Sequence, residues 1–146
     1  MKATLFTFFV LLILINCSNP SREGQASGSE DADSVSANQV LYDQVMDIHD
    51  EVMPKMEDIY SLKKKLQDQI QSTPTLTSEE RQQLEKRIAN LDSVGNMMMD
   101  WMHQFSPLPD SVGQEEAREY LESEMEKIRK VREAMLGIIA SEKGSN

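Results

Sequence analysis

The chain has 146 residues, a formal net charge of −10, 39% hydrophobic, 27% charged and only 5% aromatic residues, enough for one domain. So acidic a surface repels phosphate backbones and anionic head groups, which excludes nucleic acid and a polybasic hold on lipid as partners. The single cysteine, Cys17, excludes an intrachain disulfide, a Cys-rich metal site and a CxxC redox motif, and the scarcity of aromatic and β-branched runs points to an all-α chain.

Lys2 gives the N-terminus a positive start, and residues 5–15 are apolar apart from Thr7. That length suits the core of a secretory signal peptide better than a membrane span. Residues 1–16 are therefore expected to be a signal peptide. Their removal would leave 14 basic against 25 acidic residues. The segment ends Leu14-Ile15-Asn16-Cys17, which resembles a lipobox, where bacterial lipoproteins are acylated on cysteine and cut just before it. Leu14 fits that pattern, while Asn16 is larger than the usual Gly, Ala or Ser and matches a relaxed motif. The resemblance implies lipidation at Cys17. Two or more acyl chains at about 0.8 kcal/mol per buried methylene anchor a protein without spanning the bilayer. Ser18 after the cysteine favours the outer membrane over the inner by the same analogy.

Residues 18–35 (SNPSREGQASGSEDADSV) carry almost no apolar side chain. Too little surface is available there to offset ordering entropy, so residues 17–35 read as the lipidated cysteine and a disordered acidic tether. As a flexible coil the tether would span about 25 Å. The folded domain is expected at 36–146.

Three segments of that domain show helical periodicity, each opened by a hydroxyl residue with Glu or Gln three positions on: Ser36/Gln39, Thr77/Glu80 and Ser111/Gln114. The first, 37–71, has a stripe of Leu41, Val45, Ile48, Val52, Ile59, Leu66 and Ile70, with Pro54 set to kink it by leaving the Asp50 carbonyl without a partner. The second, 78–105, steps through Leu84, Ile88, Leu91, Gly95, Met98, Met102 and Phe105 as a coiled-coil seam. The third, 114–143, follows Leu121, Met125, Ile128, Arg132, Met135 and Ile139, with Val131 and Ile138 beside the stripe and a charged outer face of Glu115, Glu116, Glu119, Glu122, Glu124 and Glu126. The breaks at 72–77 and 106–113 are short, which predicts an antiparallel up-down-up three-helix bundle or, as the rival, a long helical hairpin that completes its core by dimerising.

Nine methionines lie beyond residue 16, and they cluster. Met46, His49, Met53, Met56 and Tyr60 form a second stripe on the first helix, and Met97, Met98, Met99, Met102 and His103 surround Trp101 on the second. A tight turn near residues 74 and 75 would put His49 level with Asp100 and Met53 level with Asn96. Thioether and imidazole ligands select Cu(I), and His49/Met53 and Met99/His103 have the i, i+4 spacing that shares a face. His49, Met53, Met98, Met99, Met102 and His103 are thus the candidate metal ligands. The alternatives are that methionine only fills the core, with the histidines paired to acids such as Asp50 and Asp100, or that it forms a partner groove. No His/Asp/Glu spacing matches a zinc site, and no phosphate loop, nucleophile elbow or free thiol points to an enzyme.

With LINC, the acidic tether, HDEVMPKM (49–56) and MMMDWMHQF (97–105), the chain resembles a group of small lipoproteins from Bacteroidota that often carry the label viral A-type inclusion protein. The resemblance covers most of the chain after the signal and implies no catalytic residue. The expected function is that of a non-enzymatic envelope lipoprotein, held to the membrane by its lipid, whose helical bundle has a protein-interaction or structural role, with an envelope protein or another copy of itself as partner.

Overall fold

The computed structural model describes residues 27–106, 108–109 and 111–144, with side chains from residue 37 onward. Residues 1–16, Cys17 and the first part of the expected tether lie outside the described residues.

Four helices follow in order: α1 (Ser27–Val52), α2 (Lys55–Ser72), α3 (Ser78–Gln104) and α4 (Gln114–Gly144). They form an all-α, three-layered bundle, because α1 and α2 are two lengths of one rod broken at Pro54. Pro54 has no N–H to give the Asp50 carbonyl, and the break is closed by short bonds, Met56 N to Met53 O at 3.1 Å and Glu57 N to Pro54 O at 3.3 Å. The proline keeps helical angles, φ −62° and ψ −20°, so the chain runs on in the same sense.

α1 starts nine or more residues before the expected boundary, which corrects two readings. Residues 27–35 belong to the helix and not to the tether, and the helix passes through Ser36 instead of being capped there. Once the packed part of α1 has nucleated, each further residue adds a backbone bond at small cost. Gln39 accordingly donates forward to Asp43 at 2.8 Å.

The turn at 73–77 does carry the capping box: the Thr77 hydroxyl accepts from the Glu80 N–H at 3.2 Å, and the Glu80 carboxylate accepts from the Thr77 N–H at 2.8 Å. Those bonds hold the Glu80 carboxyl below its ordinary value. The third expected box fails, since α4 begins at Gln114 itself, and the Gln114 side chain and carbonyl both accept from Asn38 Nδ2, at 3.0 and 2.9 Å.

The topology is up-down-up. α3 returns antiparallel along α2, joined by Lys63 to Asp92 at 2.6 Å. α4 then runs parallel to the α1–α2 rod, with Asn38 beside Gln114, Glu51 beside Arg132 at 3.6 Å and Asp58 beside Lys143 at 3.3 Å in that order. The ion pairs lie toward solvent and add little stability, but together with the part-buried Asn38–Gln114 bond they record the register. Val45, Val52, Ile59 and Leu66 meet Leu91 and Met98 from α3 and Ile128, Val131, Met135 and Ile139 from α4 in one buried cluster.

The α4 stripe differs from the one the sequence suggests. Val131 replaces Arg132 in the core, and Glu124 and Glu142, the first of them read as part of the outer face, are buried. Among the described residues no helix is long and apolar enough to cross a membrane.

Candidate functional site

Among the described residues α3 packs its backbone along α2 and α4 and stands off from α1. Rings fill the space. His49 of α1 lies 5.8 Å from Trp101 of α3, centroid to centroid; Trp101 stacks on Phe105 at 4.9 Å; and Phe105 lies 6.0 Å from Tyr42 of α1 and 6.2 Å from Tyr120 of α4. Of the aromatic residues described, only Tyr60 and His103 stand outside this column. Two of these pairs are stacked and two tilted, and aromatic rings at such distances attract each other beyond their buried area.

Trp101 is the centre of the column and is 6% exposed. A buried indole N–H needs an acceptor, and Glu124, 2% exposed, supplies it: Trp101 Nε1 donates to Glu124 Oε2 at 2.9 Å, and Lys127 Nζ donates to Glu124 Oε1 at 2.7 Å. The carboxylate in turn raises the Lys127 pKa, chiefly through that hydrogen bond. At the other end of α4, Arg87 Nε donates to the buried Glu142 at 2.9 Å. Sequence reasoning missed both acids: it gave Glu124 to the charged outer face and assigned Glu142 no place. Spacing places both beside the core stripe, Glu124 four residues before Ile128 and Glu142 three after Ile139, but it does not show the distant donors that let a carboxylate be buried there.

The six expected metal ligands are spread from core to surface. Met98 is fully buried; Met53, Met99 and Met102 are half-buried against the core; His103 is exposed in the last turn of α3. His49 is 18% exposed, and its Nδ1 lies 2.8 Å from Asp50 Oδ1. Its ring meets Trp101, one position from the level expected for it. Met99 and His103 each stand two residues from Trp101, about 200° round the helix, so they leave α3 in a different direction from the indole that meets His49. Among the described residues no three His, Cys, Asp or Glu side chains gather as a metal site, a set that does not include thioethers.

Beyond the column, where the 105–113 connection passes over α1 and the start of α4, lies an open cleft of about 240 Å³. Tyr42, Phe105 and Tyr120 supply rings to its wall, and Asn38, Gln39 and Gln114 supply amides. The Ser106 N–H donates to the Tyr120 hydroxyl at 2.9 Å and ties the connection to α4. No protein-family model, curated protein or solved structure matches this chain.

Proposed function

We propose that the chain is a bacterial envelope lipoprotein: residues 1–16 are a cleaved export signal, Cys17 carries the acyl chains, and the helical bundle is a non-enzymatic interaction or structural module outside the cytoplasm. The outer membrane is favoured over the inner. The observation that carries this reading is the apolar run 5–15 closing on LINC. The partner is an envelope protein or a second copy of the chain.

The test is Cys17→Ala with metabolic labelling by an alkyne fatty acid, followed by membrane fractionation. The native chain is expected to take up label and sediment with envelope membranes, and the variant to lose both while keeping its helical circular dichroism. A variant that still takes up label or still sediments sinks the proposal.

A second reading is Cu(I) binding through His49, Met53, Met98, Met99, Met102 and His103. The His49 Nδ1–Asp50 Oδ1 pair at 2.8 Å is the one the core-filling alternative calls for, and it is equally the orienting carboxylate that metal-ligating histidines commonly have, with Nε2 left for the metal. Titration of the full chain with Cu(I) under reducing conditions, against a competing chelator, decides it. Stoichiometric uptake lost in both His49→Ala and Met99→Leu is the expected result, and no uptake by the native chain removes the reading.

A further inference from the structure

The cleft at the open end of the bundle has an uncommon lining for this chain. Charged residues make up 27% of the sequence, yet none of the described lining residues is Asp, Glu, Lys or Arg. Among the described lining residues the polar groups are neutral. The walls join the rings of Tyr42, Phe105 and Tyr120 to the amides of Asn38, Gln39 and Gln114.

The hydrogen bonds already made define what is left over for a ligand. Gln39 spends its Nε2 on Asp43 and retains its carbonyl as acceptor. Gln114 spends its carbonyl on Asn38 and retains its NH2 as donor. The Tyr120 hydroxyl accepts from Ser106 and retains its own proton to donate. Neutral donors and acceptors interspersed around apolar ring faces match a ligand that has apolar faces and edges able both to donate and to accept.

We propose that this cleft binds a neutral pyranose unit, with C–H faces against the Tyr42 and Tyr120 walls and hydroxyls or an acetamido group on Gln39 and Gln114. The size agrees: about 240 Å³ lies below the roughly 300–1,000 Å³ of drug-sized pockets, as a single ring requires. A peptide would need a strand edge or a helix-length groove, and among the described residues there is no strand. The inference does not depend on the lipid anchor, because every group it uses lies in the bundle.

The experiment titrates the full chain, in a non-glycosidic detergent, with methyl N-acetyl-β-D-glucosaminide and methyl β-D-glucopyranoside. Trp101, the one tryptophan, stacks on Phe105 of the cleft wall, so its fluorescence reports occupancy, and saturation-transfer NMR gives a second readout. At least one glycoside is expected to bind saturably in the millimolar range, and Gln39→Ala to weaken it roughly tenfold, one hydrogen bond's worth at 1.4 kcal/mol. Tyr42→Ala should weaken it further, and Tyr60→Ala, outside the column, should leave it unchanged. Tyr42 also packs against Phe105, so if its variant unfolds Gln39→Ala decides, because Gln39 is exposed and its hydrogen bond among the described residues, to Asp43, lies within α1. Three results overturn the proposal: no saturable binding of either glycoside, binding unchanged in Gln39→Ala, or binding of a capped neutral dipeptide in preference to both sugars.

Discussion

The two ends of the bundle solve the packing problem with different chemistry. At the 73–77 turn, α2 and α3 close on aliphatic side chains, Leu66 and Leu84 among them, the turn itself is set by local bonds between Thr77 and Glu80, and the buried acid at that end, Glu142 of α4, is matched by the Arg87 guanidinium. At the 105–113 connection, three helices meet over rings and buried polar groups: Trp101 on Glu124, and Asn38 on Gln114. Aliphatic contacts are non-directional and tolerate sliding. A buried indole or amide that must find its partner permits one register, since an unpaired group there costs more than the bond returns. Among the described residues no buried side-chain nitrogen or oxygen is left without a partner, so the polar end fixes how α4 sits on α1 and α3.

The sharpest way to break that contrast is Trp101→Ala, which empties the centre of the ring column and strips Glu124 of its donor. Loss of about 3–5 kcal/mol is expected in urea unfolding, the range for a large aromatic removed from a core. A smaller effect isolates the polar component: Trp101→Phe keeps a ring but leaves a buried carboxylate oxygen unpaired, for a loss of about 1–3 kcal/mol. Adding Glu124→Leu should recover part of it, and a double variant no better than the single would show that the hydrogen bond does not set the register.

At the turn end, Thr77→Ala should cost about 1 kcal/mol, a usual figure for a lost N-cap. The same cap gives an acid dependence. Hydrogen bonds from Thr77 hold Glu80 below its ordinary value of 4.5, and Arg118 and Lys130 do the same for Glu115 and Glu126. Groups depressed in the folded state contribute stability that is fully present above 4.5 and lost as pH falls through their lowered values. The melting temperature should therefore be insensitive to these groups between neutrality and 4.5 and should fall below it. The fall should be shallower in Thr77→Ala, and an equal acid slope in both proteins would detach Glu80 from the effect. The smallest expected change is a gain. Gly137 lies inside α4 with nothing within 4 Å of an added Cβ, so Gly137→Ala should raise stability by up to about 1 kcal/mol.

Much of this fold was legible along the chain. The stripes on 78–105 and 114–143, the Thr77/Glu80 box and the break at Pro54 are local features, and each appears within a residue or two of its expected place. The level of His49 was legible too, because a short turn constrains an antiparallel pair. Less could be read of the start of α1 and of the Ser36 and Ser111 boxes. A capping motif competes with continuing the helix or with a partner such as Asn38, and only tertiary contacts decide which wins. For the candidate ligands, spacing established which side chains share a helix face, and it could not say that Met98 would be sealed in the core while His103 faced solvent.

The sequence by itself determined the helices, their order and the apolar faces they had to bury, because backbone bonds and side-chain direction repeat every three or four residues. Tertiary structure alone decided that α1 would stand off from α3, that rings from positions 42, 49, 101, 105 and 120 would fill the space, and that Glu124 would turn inward. Each of those outcomes depends on a partner far along the chain. Glu124 is buried because an indole N–H 23 residues away has to be satisfied, a requirement that no local pattern in α4 expresses.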